Sequence, residues 1–241
     1  MFPQQPNRSL IDGLMVLQTL TVAAKPIGSR MLARELGLEP TRVNRLAKTL
    51  EGLGFLQQNA DRKYTVGPGV HLLAAQGLHA SGLLRAALSE LESLHRFGFT
   101  VSMGVVWRSR VSYLYHWHPG MKSAEAVGMS DVFPAATSGI GHALLAHLSD
   151  AEIRAMHPDF PESALPQIQK TRERGWAYIC RSQKPLNAAL SAAIGKIPYA
   201  AISFADKIDV KTRDKLLPAL IEAAERIDAK QQEYQNRNER A

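Results

Sequence analysis

The sequence predicts an α+β protein of two domains, an N-terminal winged helix-turn-helix and a C-terminal domain built around one antiparallel sheet. Three observations predict it. A short helix, a Gly-containing turn and a second amphipathic helix follow one another between Ile27 and Gly54. Two short strands with a polar, basic tip come directly after them. Beyond Gly67-Pro68-Gly69 helical and strand-like periodicities alternate to the end of the chain. A length of 241 residues suits two domains better than one.

Residues 1–7 read as a loose tail rich in Pro and Gln. Ser9 is placed to cap a first helix through about Ala24, with Leu10, Leu14, Val16, Leu17 and Leu20 facing inward, and Lys25-Pro26 breaks it. Ile27–Leu38 reads as a helix carrying Met31, Leu32 and Leu36 and stopped by Gly37. The central stretch is Glu39–Leu56. Pro40 suits a first helical turn, and Val43, Leu46, Ala47, Leu50 and Leu53 form an apolar stripe. Thr41, Arg42, Asn44, Arg45, Lys48 and Thr49 occupy the other face. Arginine can reach guanine edges or phosphates, asparagine can reach adenine, and lysine is a point charge for phosphate. Gly52 and Gly54 end the helix. Phe55–Gln58 and Lys63–Val66 then flank Asn59-Ala60-Asp61-Arg62, a hairpin wing.

Val70–Leu84 reads as a linker helix with more apolar residues than one winged helix needs, packed against a second subunit. Arg85–Phe97 is a helix ended at Gly98, and Phe99–Trp107 and Val111–Trp117 form a hairpin about Arg108-Ser109-Arg110. An irregular segment runs from His118 to Phe133. Ser138–Leu148 is an Ala- and Leu-rich helix, Ser149 caps a short helix to Met156, and Leu165–Arg174 is a polar helix. Ala188–Ile194 and Tyr199–Ala205 are apolar runs either side of a Gly195-Lys196 turn. The last helix spans Lys211 to about Gln232, ahead of a frayed polar tail.

The formal charge of +7 favours a polyanionic partner. It is concentrated early: nine Lys/Arg stand against five Asp/Glu up to Ala75, and twenty against seventeen in the rest. Cys180 is the only cysteine, so neither an intrachain disulfide nor a cysteine-based metal cluster can form, and a reducing compartment follows. No signal-peptide pattern opens the chain and no apolar run reaches membrane-spanning length, so a soluble, cytoplasmic protein with no membrane partner is expected.

With these elements placed, the chain resembles the IclR family of bacterial transcription regulators from Arg8 to Ile227. The N-terminal resemblance lies in Val43-Asn44-Arg45-Leu46, Thr49-Leu50-Glu51, Gly54-Phe55 and Tyr64-Thr65-Val66-Gly67. The C-terminal one lies in Ser138-Gly139-Ile140-Gly141-His142-Ala143-Leu144-Leu145-Ala146, Arg174-Gly175-Trp176 and Ala200-Ala201-Ile202-Ser203. The resemblance implies a GAF-like effector domain, a homodimer or homotetramer, and a small organic acid or aromatic metabolite as effector. The chain departs from the family where acidic residues usually follow the Arg-Gly-aromatic motif: it carries Ile179, Cys180, Arg181 and Ser182 there.

The expected division is a DNA-binding domain over residues 1–67, a linker helix over 68–84 and an effector domain over 85–241. The expected contacts to a palindromic operator are Arg30, Thr41, Arg42, Asn44, Arg45 and Lys48, with Arg62 and Lys63 from the wing. The expected effector pocket gathers Met103, Ser138, Gly139, Ile140, Ile179, Leu186, Ser203 and Ala205, a carboxylate seat at a helix start beside apolar strand positions. Such a pocket suits an aromatic or branched acid. His116 and His118, two apart, share a strand face without a third metal ligand and read as a surface pair, and Cys180 reads as an inert thiol. Ser, His and Asp are present, but no nucleophile-elbow, P-loop or dinucleotide pattern surrounds them. The expectation is a regulator with no cofactor and no catalytic site. The alternatives are a DNA-binding protein without a ligand, or an enzyme that uses the second domain.

Overall fold

The computed structural model describes residues 5–23, 25–127, 132–183 and 186–238. Four expectations therefore fall partly outside the described residues: the first part of the loose tail, the end of the first helix at Ala24, part of the irregular segment before Phe133 and the last part of the polar tail. The chain divides between Ala80 and Ser81 into two compact units.

In the first unit, helix α1 (Arg8–Ala23) is capped by Asn7 rather than Ser9: the Asn7 Oδ1 accepts from the Leu10 N–H at 3.0 Å. Its inward residues are Asp12, Gly13, Val16 and Leu20. Leu10 and Leu14, expected inside, are 60% and 44% exposed. The helix is rotated because the bare Gly13 lies against Leu46 and Asp12 turns inward to the Arg42 guanidinium, 2.7 Å away. Ile27 and Gly28, expected in the next helix, form strand β1 (Ile27–Gly28), and helix α2 (Ser29–Leu36) starts after them. Gly37 ends α2 at φ 63°, a left-handed conformation in which a side chain is strained. Helix α3 (Pro40–Gly52) follows, burying Val43 and Ala47 and leaving Leu53 exposed. Strands β2 (Leu56–Gln58) and β3 (Lys63–Val66) close a three-stranded sheet in the order β1-β3-β2. Val16, Leu20, Leu32, Val43, Ala47, Leu56 and Tyr64 make its core. Helix α4 (Pro68–Ser81) has no buried residue, although Leu72 and Leu73 are on it.

The second unit is organised by a six-stranded antiparallel sheet. Its strands are β4 (Thr100–Trp107), β5 (Arg110–Trp117), β6 (Val132–Pro134), β7 (Ala177–Gln183), β8 (Leu186–Ala193) and β9 (Ala200–Asp206), in the order β6-β5-β4-β9-β8-β7. Helices α5 (Leu83–Leu94) and α9 (Val210–Asn238) cover one face, packing on Met103, Tyr115, Leu190, Ile202 and Phe204. The expected fraying after Gln232 is corrected: α9 continues through Asn238. The other face carries α6 (Gly139–Leu145), α7 (Asp150–Met156) and α8 (Leu165–Arg174) over Val111, Tyr113, Ala177 and Ala201. The Ser149–Glu152 capping box that starts α7 is present on both sides. Between β4 and β5 the register slips at Met103/Gly104, so that Met103 faces Tyr115, Gly104 faces Tyr113, and Leu114 is the extra residue of a bulge. No described helix is long and apolar enough to cross a membrane.

Candidate functional sites: a basic helix face and a two-chamber pocket

On α3 the periodicity that buries Val43 and Ala47 turns Thr41, Asn44, Arg45, Lys48 and Thr49 to solvent. The expected contacts are not equally available. Arg42 is half-buried and its Nε is ion-paired to Asp12, so its charge is tied to α1. Lys48 Nζ donates to Glu51 Oε2 at 2.9 Å and to Gln58 Oε1 at 3.0 Å, linking the helix to the first wing strand. The bond to Glu51 raises the Lys48 pKa, so the ammonium stays charged. Asn44 and Arg45 lie exposed on the face itself, and Arg30 is exposed at the start of α2. The wing turn is held by Asn59, whose Oδ1 accepts from the Lys63 N–H at 2.9 Å, and by Arg62 in a left-handed conformation at φ 57°. Arg62 and Lys63 are both exposed.

In the second unit two clefts open on the α6 side of the sheet. The smaller, of about 310 Å³, is bounded by Ser102, His116, Ser138, Asn187, Ser203 and Asp206 among others. It is polar: Ser102 Oγ and His116 Nδ1 are 2.8 Å apart, the Tyr113 ring stacks on His116 at 5.0 Å, and Ser191 Oγ donates to Ser203 Oγ at 2.9 Å. The larger, of about 810 Å³, lies between α6, α8 and β7, with Ile179, Gln167 and His142 in its wall. Arg181 and Phe133 border both.

Of the expected pocket residues, Ser138, Ile140, Ser203 and Ala205 line the smaller cleft and Ile179 the larger. Three need correction. Met103 is fully buried among the α5 and α9 contacts, on the opposite face, because β4 alternates and Ser102 takes the cleft side. Leu186 is one position out of register: Asn187 lines the cleft, while Ala188 and Leu190 face the α5 and α9 core. Gly139 offers no ligand seat. A Cβ there would meet Ser191 Oγ at 2.3 Å, and the glycine exists so that α6 can lie against β8. The helix start is moreover self-capped, with Ser138 Oγ accepting from the Gly141 N–H.

His116 and His118 do not form a pair. His116 is a strand residue bonded to Ser102, while His118 lies beyond β5 and is exposed. Among the described residues no three His, Cys, Asp or Glu side chains gather as metal ligands. Cys180 is exposed, with Gln183 Nε2 donating to its sulfur at 3.0 Å. Sequence reasoning missed Ser102, Tyr113, His116 and Asn187 as pocket residues. Strand parity around Ser203 can recover Ser102 once the pairing is known. Nothing local marks Tyr113 and His116, because the bulge puts residues three apart on one face.

A helix-turn-helix with a wing, followed in the chain by a sheet domain with two clefts, is the architecture to be compared with known proteins. The IclR helix-turn-helix domain model matches residues 9–60. The HTH-type transcriptional regulator TsaQ1/TsaQ2 of Comamonas testosteroni is 37% identical over 106 residues, which cover 43% of this chain and only 37% of that relative's length. An IclR transcriptional regulator from Silicibacter sp. TM1040 shares the fold with a TM-score of 0.77 at 21% identity, over 92% of this chain and 96% of that one. An IclR homolog from Microbacterium hydrocarbonoxydans complexed with 4-hydroxybenzoate gives a TM-score of 0.65 at 19% identity, over 93% and 99%. The IclR helix-turn-helix domain is thus matched in the first unit, and the chain as a whole shares the fold of solved IclR-type regulators.

Proposed function

We propose that this chain is a homo-oligomeric, cytoplasmic regulator that binds a palindromic operator and responds to a small aromatic or organic acid. The observation that carries the reading is the α3 face. It is an exposed row of cationic and amide groups, backed by a buried apolar stripe and followed by a basic wing. In this reading residues 1–67 bind DNA, 68–84 link and 85–241 sense. Asn44 and Arg45 read base edges; Thr41, Lys48, Arg30, Arg62 and Lys63 hold the backbone; Arg42 positions α3 through Asp12. A second copy of the chain covers α4, whose Leu72 and Leu73 are 58% and 55% exposed here.

The effector site is the pair of clefts on the α6 side, built from Ser138, Ile140, Ile179, Ser203 and Ala205 with Ser102, His116 and Arg181 added. The 4-hydroxybenzoate complex of the Microbacterium protein supports an aromatic acid. The chain acts by binding, without catalysis of its own. Ligand changes operator affinity only as far as it binds two arrangements of the oligomer unequally.

Immunoprecipitation of the protein with its genomic DNA, followed by footprinting at the recovered sites, tests the proposal. Two protected half-sites related by a dyad are expected. Protection with no half-site repeat, or unaltered binding by a folded Arg45→Ala variant, refutes it. A fragment of residues 1–67 should bind such a site poorly, because one winged helix makes few contacts; full affinity from a monomeric fragment contradicts the oligomer.

A further inference from the structure

The larger cleft contains a group that the proposed regulator does not yet use. His142, on α6, is 2% exposed. Its Nε2 is 2.7 Å from the Ala136 carbonyl oxygen. A carbonyl can only accept, so Nε2 carries the ring proton and Nδ1 is left with a bare lone pair. That Nδ1 is buried and has no partner. Burial also pushes the imidazole pKa down, against a smaller opposite pull from the Ala136 carbonyl, so the ring is neutral near pH 7. Buried polar atoms are nearly always hydrogen-bonded, and an orphan calls for a reason.

The surroundings supply one. Gln167 donates one amide N–H to the Tyr178 carbonyl and the Cys180 thiol donates to the Ser182 carbonyl, so each of these donors is directed away from the ring. The cleft wall is otherwise largely apolar, with Phe133, Pro161, Ala164 and Ile179, and the cation among its described residues, Arg181, is exposed where the two clefts meet. The wall thus holds an unpartnered buried acceptor, on His142, and a cation at the junction of the two clefts. A volume of about 810 Å³ exceeds what a two- or three-carbon acid needs and suits a ring.

We propose that the larger cleft takes a ring acid bearing an O–H or N–H donor at its far end, which His142 Nδ1 accepts while Arg181 meets the carboxylate. The inference rests on the effector reading above and adds a specificity-determining residue to it. Two probes of similar size separate the contributions: 4-hydroxybenzoate, with the donor, and 4-methylbenzoate, without it.

In calorimetric titration of the full chain, 4-hydroxybenzoate should bind at least about tenfold more tightly, the worth of one buried hydrogen bond. His142→Phe should remove that preference while still binding 4-methylbenzoate. Should the variant not fold, ¹⁵N-imidazole spectra of the wild type decide. Free protein should show a protonated Nε2 and bare Nδ1, and only 4-hydroxybenzoate should move the Nδ1 resonance. Equal affinity for the two acids, or an Nδ1–H tautomer in the free protein, overturns this inference and leaves the effector reading standing. If neither acid binds, both fall together.

Discussion

The two units carry their candidate sites in opposite ways. The winged helix presents Asn44 and Arg45 on the outside of one helix, so site and core are two faces of the same 3.6-residue period. The sheet unit assembles its clefts from α6, α8 and residues of all six strands, β4 to β9, so the walls depend on pairings between strands far apart in the chain. A surface site of the first kind can lose a residue and keep its frame. A cleft of the second kind cannot change one wall without moving another.

The largest expected effect breaks the second unit alone. At Gly141 a Cβ would lie 2.2 Å from the Ala135 carbonyl oxygen and 2.6 Å from its Cα, backbone atoms with no room to yield. Gly141→Val should cost at least about 3 kcal/mol. In scanning calorimetry the transition of residues 81–241 should fall or vanish while that of the winged helix survives. A variant with both transitions intact would mean that α6 is not seated as described.

Next in size is Arg45→Ala, which should weaken operator binding by about 1–3 kcal/mol and relax selectivity at one base pair, with the melting of both units unchanged. Footprinting across single-base operator variants checks this. The reverse pattern, lost stability with retained selectivity, would assign Arg45 to the scaffold.

Acid should separate the units further. Burial holds the pKa values of His95, His142, His147 and His157 below the ordinary 6.5, all in the second unit. The folded state thus binds fewer protons than the unfolded chain once pH drops below about 6.5. Stability of the second unit should fall from there until the folded values are passed. The two imidazoles of the first unit, His71 and His79, are exposed. Melting temperatures at pH 7 and pH 5 should therefore diverge between the units, and a parallel shift would contradict the sign.

Two smaller effects sharpen the contrast. Ser149→Ala removes the α7 capping box and should destabilise the second unit by about 1 kcal/mol without touching either cleft. Lys48→Ala should weaken binding to all DNA sequences a few-fold and lower the salt slope by roughly 1. Its ammonium is already shared with Glu51 and Gln58, so the loss is less than for Arg45.

The same contrast explains what could be read in advance. The helix-turn-helix, the wing and the division of α3 into two faces were legible because helical spacing, Gly37 and the hairpin tip are local signals. Leu10 and Leu14 were misplaced because Asp12, a charged residue, turns inward to meet Arg42, and no apolar count reports an ion pair. In the second unit Ser138, Ile140, Ser203 and Ala205 were expected from a helix start beside apolar strand positions, and they line a cleft although that helix start is self-capped. Met103 and Leu186 failed because a strand residue's face is fixed by parity, and parity cannot be counted before the register is known. Gly139 was read as open space when its missing side chain is already filled by β8.

The bulge at Leu114 works as a phase shifter. Before it, odd positions of β5 face α6; after it, even ones do, which is how Tyr113 and His116 come to stack. Deleting that single residue would leave the composition of the strand almost untouched and exchange its two halves' addresses, sending either the tyrosine or the histidine to the far side of the sheet. Sequence drift can thus remodel this chamber in one indel rather than by accumulating substitutions. An alignment of relatives that places its gap one residue away from Leu114 would compare side chains that never occupy the same wall.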